Sequence, residues 1–258
     1  MQPALTLTDP MDPARAQALA ATLGMHLAPD APLPPFFHQA YFWQALPPEH
    51  LGRDGHPVLG AAGLVPDLGL PRRMWAGGRL EFHAPLVAGT PATRTTTLES
   101  IRRKDGRSGP LAFVTLRHQI TQNGVPAVTE WQDLVYRPDP DADTRPPAPP
   151  PAPADENPVE HRFSTTLLFR YSALTFNGHR IHYDLDYCRD VEGYPGLVVH
   201  GPLLAQLLML RAARPLHRFG FRATAPLFHT ETATLCAQGG ALWVRGPDGR
   251  LCMRAEAA

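Results

Sequence analysis

The segment "TFNGHRIHYD", residues 175–184, places two histidines, an arginine and an aspartate directly after an Asn-Gly pair. Asn-Gly is a strong turn signal, so the pattern predicts that the chain bends at 177–178. A histidine on a turn that enters a helix titrates near neutral pH and can exchange protons with a substrate. The segment is therefore a candidate acid–base site, and a polar surface turn is the alternative.

A second candidate lies in "VVHGPLLAQLL", residues 198–208, where a His-Gly-Pro turn precedes an apolar helix. The first N–H groups of a helix have no partner within the helix, and they lie at the positive end of its dipole. Glycine lets a ligand approach its amide closely, so Gly201 is a candidate oxyanion-binding residue. The alternative is a glycine and a proline that only begin a buried helix.

Other kinds of catalysis have less support in the sequence. A metal site needs three or four converging ligands, and His179, His182 and Asp184 form the nearest set. The H-E-x-x-H spacing is absent, so no metal is expected. No G-x-S-x-G, G-x-G-x-x-G or Walker pattern occurs either. What remains is acid–base chemistry without a cofactor.

Composition limits which cellular compartment and which classes of binding partner are expected. Acidic and basic residues balance at 24 each, which argues against a nucleic-acid or anionic-membrane surface. The three scattered cysteines and an N-terminus without signal or transit features favour the cytoplasm. The apolar stretch 193–210 contains prolines and glycines, so we interpret it as a buried loop and helix and expect no membrane span.

Proline is concentrated near the middle of the chain. Residues 138–153 carry eight of the 30 prolines, which stiffen the backbone and remove hydrogen-bond donors. We interpret 138–157 as a linker between an N-terminal unit, 1–137, and a C-terminal unit, 158–258. A long surface loop within one domain is the alternative.

In the first unit, Asp12 is a good N-cap for a helix that Gly24 would end. The pattern then turns to strands. An apolar-alternating run at 111–121, the Asn-Gly pair at 123–124 and a second run at 127–137 predict a hairpin.

In the second unit, the run "HRFSTTLLF" at 161–169 is strand-like, and an apolar helix is predicted over 202–214. A second hairpin is predicted around the turn "GPDG" at 246–249.

A weak internal repeat relates the two units. "APL" occurs at 84–86 and again at 225–227, and "DGR" occurs at 105–107 and again at 248–250. Two matches separated by nearly the same length of chain predict a duplicated unit. Each half would then be an antiparallel sheet with a central helix, which is an α+β arrangement.

The residues around both candidate sites also resemble a known family. "LTFNGHRIHYD" and "EGYPGLVVHGPLLAQLL" are similar to the MaoC-like hydratase/dehydratase family, which has the hot-dog fold. "FNGHRIHYD" resembles the subgroup of type 2 hydroxyacyl-thioester dehydratases and of mesaconyl-CoA and itaconyl-CoA hydratases. Residues 72–89 and 106–118 resemble the first hot dog of those proteins. The resemblance implies a double hot dog, with a non-catalytic N-terminal half that shapes the substrate tunnel and a catalytic C-terminal half.

The resemblance also implies roles for individual residues. It makes His182 the catalytic base and Gly201 the oxyanion amide, and it places Asn177 where the family motif has an aspartate. His179 and Arg180 replace the motif's Asn and Pro. Because an amide cannot transfer a proton as a carboxyl group does, either His182 handles both proton transfers or another group contributes one of them. The candidates are Asp184, His179 and Glu192.

Substrate binding is assigned in the same way. Arg180 could hold the free carboxylate of an itaconyl or mesaconyl group, while a salt bridge to Asp184 and a contact to a CoA phosphate are the alternatives. The other residues expected at the substrate are Tyr183, His200, Trp75 and Gly77.

The activity implied is reversible hydration of an α,β-unsaturated acyl thioester, carried by CoA or an acyl carrier protein, with no cofactor. The alternatives are a 3-hydroxyacyl-thioester dehydratase of fatty-acid synthesis and an inactive acyl-CoA-binding paralogue. The resemblance is also compatible with a homodimer.

Overall fold

The computed structural model describes residues 3–60, 63–106, 109–139, 148–155, 157–212 and 215–258. One antiparallel sheet of ten strands runs through the molecule in the order β1-β3-β4-β5-β2-β7-β10-β9-β8-β6. The strands are β1 Ala4–Asp9, β2 Arg72–Phe82, β3 Ala92–Gly106, β4 Gly109–Gln122, β5 Val125–Arg137, β6 Val159–Arg162, β7 Arg218–Ala223, β8 Thr232–Gln238, β9 Ala241–Arg245 and β10 Leu251–Ala257. The α-helices are α1 Pro13–Thr22, α2 Thr165–Leu174 and α3 Gly201–Arg211.

The strand order makes the second half of the sheet a reversed copy of the first. The halves meet where β2 pairs with β7, from Gly77↔Arg222 to Glu81↔Arg218. The number of residues between the two "APL" copies also separates Gly77 from Arg218 and Glu81 from Arg222. Moving along the chain by this number therefore converts the pair Gly77↔Arg222 into the pair Glu81↔Arg218, and the reverse. Such an exchange is expected for a two-fold axis at the seam. The predicted α+β architecture of two fused hot-dog units is therefore confirmed.

The ends of the first two helices follow from their capping residues. Asp12 accepts a hydrogen bond from the Ala14 N–H at 2.9 Å, and Gly24 adopts a φ of +69° just beyond α1, as predicted. The strand predicted over 161–169 is wrong from residue 165 onward. Ser164 accepts from the Leu167 N–H at 3.1 Å and so begins α2, because an N-cap side chain favours helix over strand.

Both predicted hairpins are present. Asn123 and Gly124 both have positive φ values, +52° and +75°, as the tight turn between β4 and β5 requires. Gly249 has a φ of +85° in the turn between β9 and β10. The helix predicted over 202–214 is α3, which begins one residue earlier and ends at Arg211. Residues 213–214 lie outside the described residues.

One of the two sequence repeats is structural and the other is not. The N–H groups of Ala84 and Ala225 each donate to the neighbouring strand, to the carbonyls of Ala127 and Cys252, at 3.3 Å. The "DGR" match is wrong as a repeat. Asp105 lies at the end of β3, whereas 248–250 belong to the β9–β10 hairpin, whose counterpart is the β4–β5 hairpin. Residue 107 lies outside the described residues.

The proline-rich segment lies against the second half where it is described. Residues 140–147 and 156 lie outside the described residues. The Trp243 indole N–H donates to the Pro153 carbonyl at 3.2 Å, and the Ala237 N–H donates to Asp155 at 3.0 Å. The division into 1–137, 138–157 and 158–258 stays a prediction.

The two halves surround unequal central elements. In the second half, α3 is buried along most of its length, as expected for a helix that is apolar on all sides. The first half has a short 3-10 turn, Phe37–Ala40, in the same position. Within the described part of the chain, no helix is long and apolar enough to cross a membrane.

Candidate active site

The bend that opens the site is at Phe176 and not at the predicted 177–178. Phe176 adopts a φ of +50°, and the Asn177 N–H donates back to the Ser172 carbonyl at 2.8 Å. This is the hydrogen-bond pattern of an α-helix that ends at a residue in the left-handed conformation. The Phe176 ring stacks on Trp43 at 5.2 Å between centroids. The stacking supports a conformation that is uncommon for a residue other than glycine.

Gly178 permits a close contact between two backbone segments. A Cβ atom on Gly178 would lie 2.8 Å from the Gly55 carbonyl oxygen. The Arg180 N–H donates to the Asp54 carbonyl at 2.9 Å in the same contact. The loop 52–56 from the first half therefore holds the turn that carries the histidines.

His182 is held as a neutral base. Its Nδ1 lies 2.7 Å from the Val198 carbonyl, so Nδ1 carries the proton and Nε2 is left as an acceptor. Burial lowers the pKa of His182 to about 4. The imidazole stacks on His200 at 3.7 Å between centroids, with 20° between the ring planes.

His200 brings the base next to the start of α3. Its Nε2 is 2.8 Å from the Ser172 hydroxyl, and burial holds its pKa well below the usual value. Gly201 follows it as the first residue of α3, and within the described residues its N–H donates no hydrogen bond. A Cβ atom on Gly201 would lie 3.6 Å from the Trp75 carbonyl oxygen. The free amide is thus on the residue that follows His200, and His182 is stacked on His200.

Asn177 uses half of its side chain to shape the turn. Its Oδ1 accepts from the His179 N–H at 3.1 Å. Within the described residues, its NH₂ group has no acceptor and remains free to donate. This leaves the two N–H donors of the NH₂ group for a water molecule or a substrate oxygen.

Four imidazoles form a row across the site. The His56 and His179 rings are 4.7 Å apart, and the His179 and His182 rings are 5.4 Å apart. Burial and the neighbouring His182 lower the pKa of His179 to about 2, and burial lowers that of His56 well below its usual value. Together with His200, the row is uncharged at neutral pH. Sequence reasoning missed His56, which carries no local motif and reaches the row only through the Gly55–Gly178 contact.

Arg180 and Asp184 are paired with each other. Two guanidinium nitrogens donate to Asp184 Oδ2 at 3.0 and 2.7 Å, and a third donates to the Arg53 carbonyl at 3.1 Å. The Tyr187 N–H and Arg180 lower the pKa of Asp184. Of the three roles left open for Arg180, these contacts favour the salt bridge. Asp184 is therefore ionised at neutral pH and has no proton to give.

The remaining predicted site residues make structural contacts. Glu192 forms an ion pair with Arg72 and accepts from the Tyr187 hydroxyl at 3.1 Å. The Tyr183 hydroxyl donates to the Gly178 carbonyl at 2.9 Å. Of the candidates for the second proton, only His179 contacts the His182 ring.

Trp75 and Gly77 lie at the seam between the halves. The Trp75 indole N–H donates to the Gly77 carbonyl at 3.0 Å. A Cβ atom on Gly77 would lie 2.5 Å from the Phe221 carbonyl oxygen, so this glycine permits the β2–β7 pairing. Trp75 borders the site through its carbonyl beside Gly201. Among the described residues, no group of three His, Cys, Asp or Glu residues is arranged to hold a metal.

Solved structures with the same fold cover nearly the whole chain. HtdX of Mycobacterium tuberculosis is 19% identical, covers 99% of both chains and superposes with a TM-score of 0.71. A second M. tuberculosis protein, described as a double hot dog, is 16% identical, covers 99% of this chain and 94% of its own, and has a TM-score of 0.55.

Curated relatives also match over most of their length. A mesaconyl-C(4)-CoA hydratase of Chloroflexus aurantiacus is 47% identical over 94% of this chain and 90% of its own. The mitochondrial hydroxyacyl-thioester dehydratase type 2 of Schizosaccharomyces pombe is 27% identical over 95% of this chain and 93% of its own.

The family comparison spans both halves of the fold. The model described as hydroxyacyl-thioester dehydratase type 2 matches residues 36–229, from the 3-10 turn of the first half to the strand region after α3. The match includes the Gly55 contact, the histidine row and the Gly201 amide. The chain therefore belongs to the hydroxyacyl-thioester dehydratase type 2 family.

Proposed function

We propose that the chain catalyses the reversible hydration of an α,β-unsaturated acyl-CoA, with a short dicarboxylic acyl group of the mesaconyl type as substrate. The observation that carries the proposal is the neutral His182 imidazole, stacked on the residue that precedes the free Gly201 amide. The name of the 47%-identical relative supports the choice of acyl group.

The reaction follows from these groups. The thioester oxygen accepts a hydrogen bond from the Gly201 N–H at the start of α3, where the helix dipole favours negative charge. A water molecule lies between His182 Nε2 and the Asn177 NH₂ group. His182 takes a proton from this water while its oxygen bonds to the β-carbon. The enolate that forms is stabilised at Gly201 until a proton reaches the α-carbon.

We assign both proton transfers to His182. Asp184 and Glu192 are held in ion pairs, and a histidine whose pKa is about 2 is a poor proton donor at neutral pH. The imidazolium formed when His182 deprotonates water is strongly acidic in this buried environment. It returns the proton to the α-carbon and restores the neutral base.

We place the free carboxylate of a dicarboxylic substrate at Arg73 rather than at Arg180. Arg73 forms none of the ion pairs found among the described residues, and it lines a cavity of about 350 Å³ together with His56. Its charge contributes to lowering the pKa of both His56 and His179, so it acts on the histidine row.

A panel of thioesters tests the reaction. Crotonyl-CoA, mesaconyl-C(4)-CoA and itaconyl-CoA are offered to the wild type and to His182→Ala, and the loss of enoyl absorbance is followed. The wild type should hydrate at least one of them, and the variant should lose the activity while its circular dichroism is unchanged. Full activity in the variant would contradict the role of His182. Saturable binding of every thioester without hydration would favour the inactive paralogue.

A 3-hydroxyacyl-thioester dehydratase of fatty-acid synthesis is the second candidate, because a 27%-identical relative is named hydroxyacyl-thioester dehydratase type 2. It uses the same groups in reverse. A preference for 3-hydroxyacyl groups on acyl carrier protein over CoA thioesters would favour it.

A further inference from the structure

The first half has a position equivalent to the Gly201 turn. The Val199 N–H donates to the Leu227 carbonyl at 2.8 Å, and the Leu33 N–H donates to the Leu86 carbonyl at 2.7 Å. The bridges Val198↔Phe228 and Pro32↔Val87 extend the correspondence. Residues 34–35, both proline, therefore stand where His200 and Gly201 stand in the second half.

This position cannot carry out the same reaction. Matching bonds after the first helices, Met25 N–H to Ala20 and Asn177 N–H to Ser172, align Met25 with Asn177. Between the aligned positions the first half has only 26–32, where the second half has the much longer segment 178–198. The first half therefore lacks the catalytic loop, and the one histidine of its short segment, His26, is exposed. Proline also has no amide N–H to bind an oxyanion.

The position is nevertheless open. A cavity of about 340 Å³ lies there, lined chiefly by apolar side chains. The apolar lining residues include Leu33, Pro35, Phe82, Val128 and Leu216. The fully buried Phe36 also lines the cavity, and its ring lies 6.2 Å from the ring of Trp75, which borders the candidate active site.

A buried carboxylate–imidazole pair faces this cavity. His38 Nε2 lies 2.9 Å from Glu130 Oε2, and both side chains are only 4% exposed. Gln39 donates to both oxygens of Glu130, at 3.1 and 2.8 Å. His38 lines the cavity, and within the described residues its Nδ1 has no partner. The pair is therefore oriented like the base of a binding or catalytic site, yet the mechanism does not use it.

The buried charges around the pair balance one another. Burial opposes ionisation of Glu130, but the hydrogen bond and charge of His38, with smaller contributions from His118 and Arg94, outweigh it and lower the pKa of Glu130. Burial lowers the pKa of His118 to about 4. Because the charge of Arg94 balances that of Glu130, the buried group has no net negative charge to repel a carboxylate at His38. The other titratable side chains at the cavity are His83 and His217.

We propose that this cavity is a second ligand site that binds an apolar monocarboxylate. The carboxylate accepts a hydrogen bond from His38 Nδ1–H, and the proline, leucine and phenylalanine side chains enclose the alkyl chain.

The test uses butyrate and hexanoate as probes in isothermal titration calorimetry of the full chain. The expected result is one saturable site, and hexanoate should bind more tightly than butyrate. 1-Hexanol, which has no carboxylate, should bind at least about tenfold more weakly, a difference of ~1.4 kcal/mol.

Variants localise the site. His38→Ala should abolish hexanoate binding, and His217→Glu, at the exposed rim, should weaken it about tenfold by like-charge repulsion, equal to ~1.4 kcal/mol. His217→Gln is the matched control and should bind as the wild type does. Because His217 is exposed, its variants test the proposal even if His38→Ala does not fold.

Two results would overturn the proposal. One is hexanoate affinity unchanged in His217→Glu and in a folded His38→Ala variant. The other is displacement of hexanoate by a saturating, non-hydrolysable acyl-CoA, which would make the cavity part of the acyl tunnel. Hydration activity in His217→Glu should equal that of the wild type, which keeps this result distinct from the proposed reaction.

Discussion

At the scale of single residues, the site depends on which side chains remain uncharged. Burial keeps His182 neutral by lowering its pKa, and the hydrogen bond to the Val198 carbonyl fixes its tautomer. A group that bonds a carbonyl through Nδ1–H can act as a base only through Nε2. The protonation states in the row therefore determine both the stability and the chemistry of the site.

This protonation state predicts how stability depends on pH. The pKa of His182 is about 4 in the folded chain, whereas a histidine in the unfolded chain titrates near 6.5. Between these values the unfolded chain binds more protons, so the free energy of unfolding falls as the pH drops, by up to ~1.4 kcal/mol per unit for this group. Urea unfolding at pH 7.5 and pH 5 measures the slope. His182→Gln should make it shallower, and an unchanged slope would contradict the buried neutral state.

Asn177 has two separable roles. Asn177→Asp keeps the oxygen that accepts from the His179 N–H but removes the NH₂ donor, so kcat should fall about 10²-fold with little change in stability. Asn177→Ala removes both groups and should also destabilise the fold by ~1 kcal/mol. Steady-state kinetics and denaturant unfolding measure the two effects. Equal activity of Asn177→Asp and the wild type would show that the amide does not position water.

The two arginines offer another test at this scale. Arg73→Gln should raise KM about tenfold for a dicarboxylic acyl-CoA, the loss of ~1.4 kcal/mol of charge-assisted binding, and leave crotonyl-CoA unaffected. Arg180→Gln is the matched comparison and should affect both substrates alike, because Arg180 pairs with Asp184. The opposite selectivity would return the carboxylate to Arg180.

At the scale of elements, the site forms where the loop 52–56 of the first half meets the turn after α2. The second-half motif could be predicted from sequence because its residues are close together and each has local chemistry. His56 could not, since its role depends on a backbone contact between distant glycines. The bend lies one residue earlier than predicted, because the Trp43 ring that supports Phe176 is also distant in the sequence.

This contact predicts the effect of one added methyl group. A Cβ atom on Gly178 would clash with the Gly55 carbonyl, so Gly178→Ala should push the loop 52–56 away and cost about 1–3 kcal/mol. Hydration should fall along with stability, because His56 and His179 separate. Gly220→Ala is the control, since nothing lies within 4 Å of its added Cβ. Kinetics and thermal unfolding compare the two variants.

At the scale of the whole molecule, the halves form one structure. Their strands share one sheet through β2 and β7, and one hydrophobic core includes side chains from both. The double hot dog could be predicted mainly from the resemblance to a known family, because only one of the two sequence matches, "APL", is a structural repeat. The asymmetry of the central elements could not, because the missing helix turns are replaced by a short aromatic turn at Phe37–Ala40.

The shared core predicts a single unfolding transition. Trp43, Trp75 and Trp131 lie in the first half and Trp243 lies in the second, so Trp243→Phe leaves a fluorescence signal from the first half alone. This signal should give the same midpoint as circular dichroism of the whole chain, as expected for two-state unfolding. Two separate midpoints would show that the halves unfold independently.

The β2–β7 seam also has an evolutionary consequence. In a dimer of identical subunits, every substitution appears twice, once in each copy, so neither copy can change alone. Joining the two units in one chain removes this constraint, and each gene position then affects one side only. One half of this protein could retain the histidine row while the other exchanged a glycine amide for prolines and gained a carboxylate–imidazole pair.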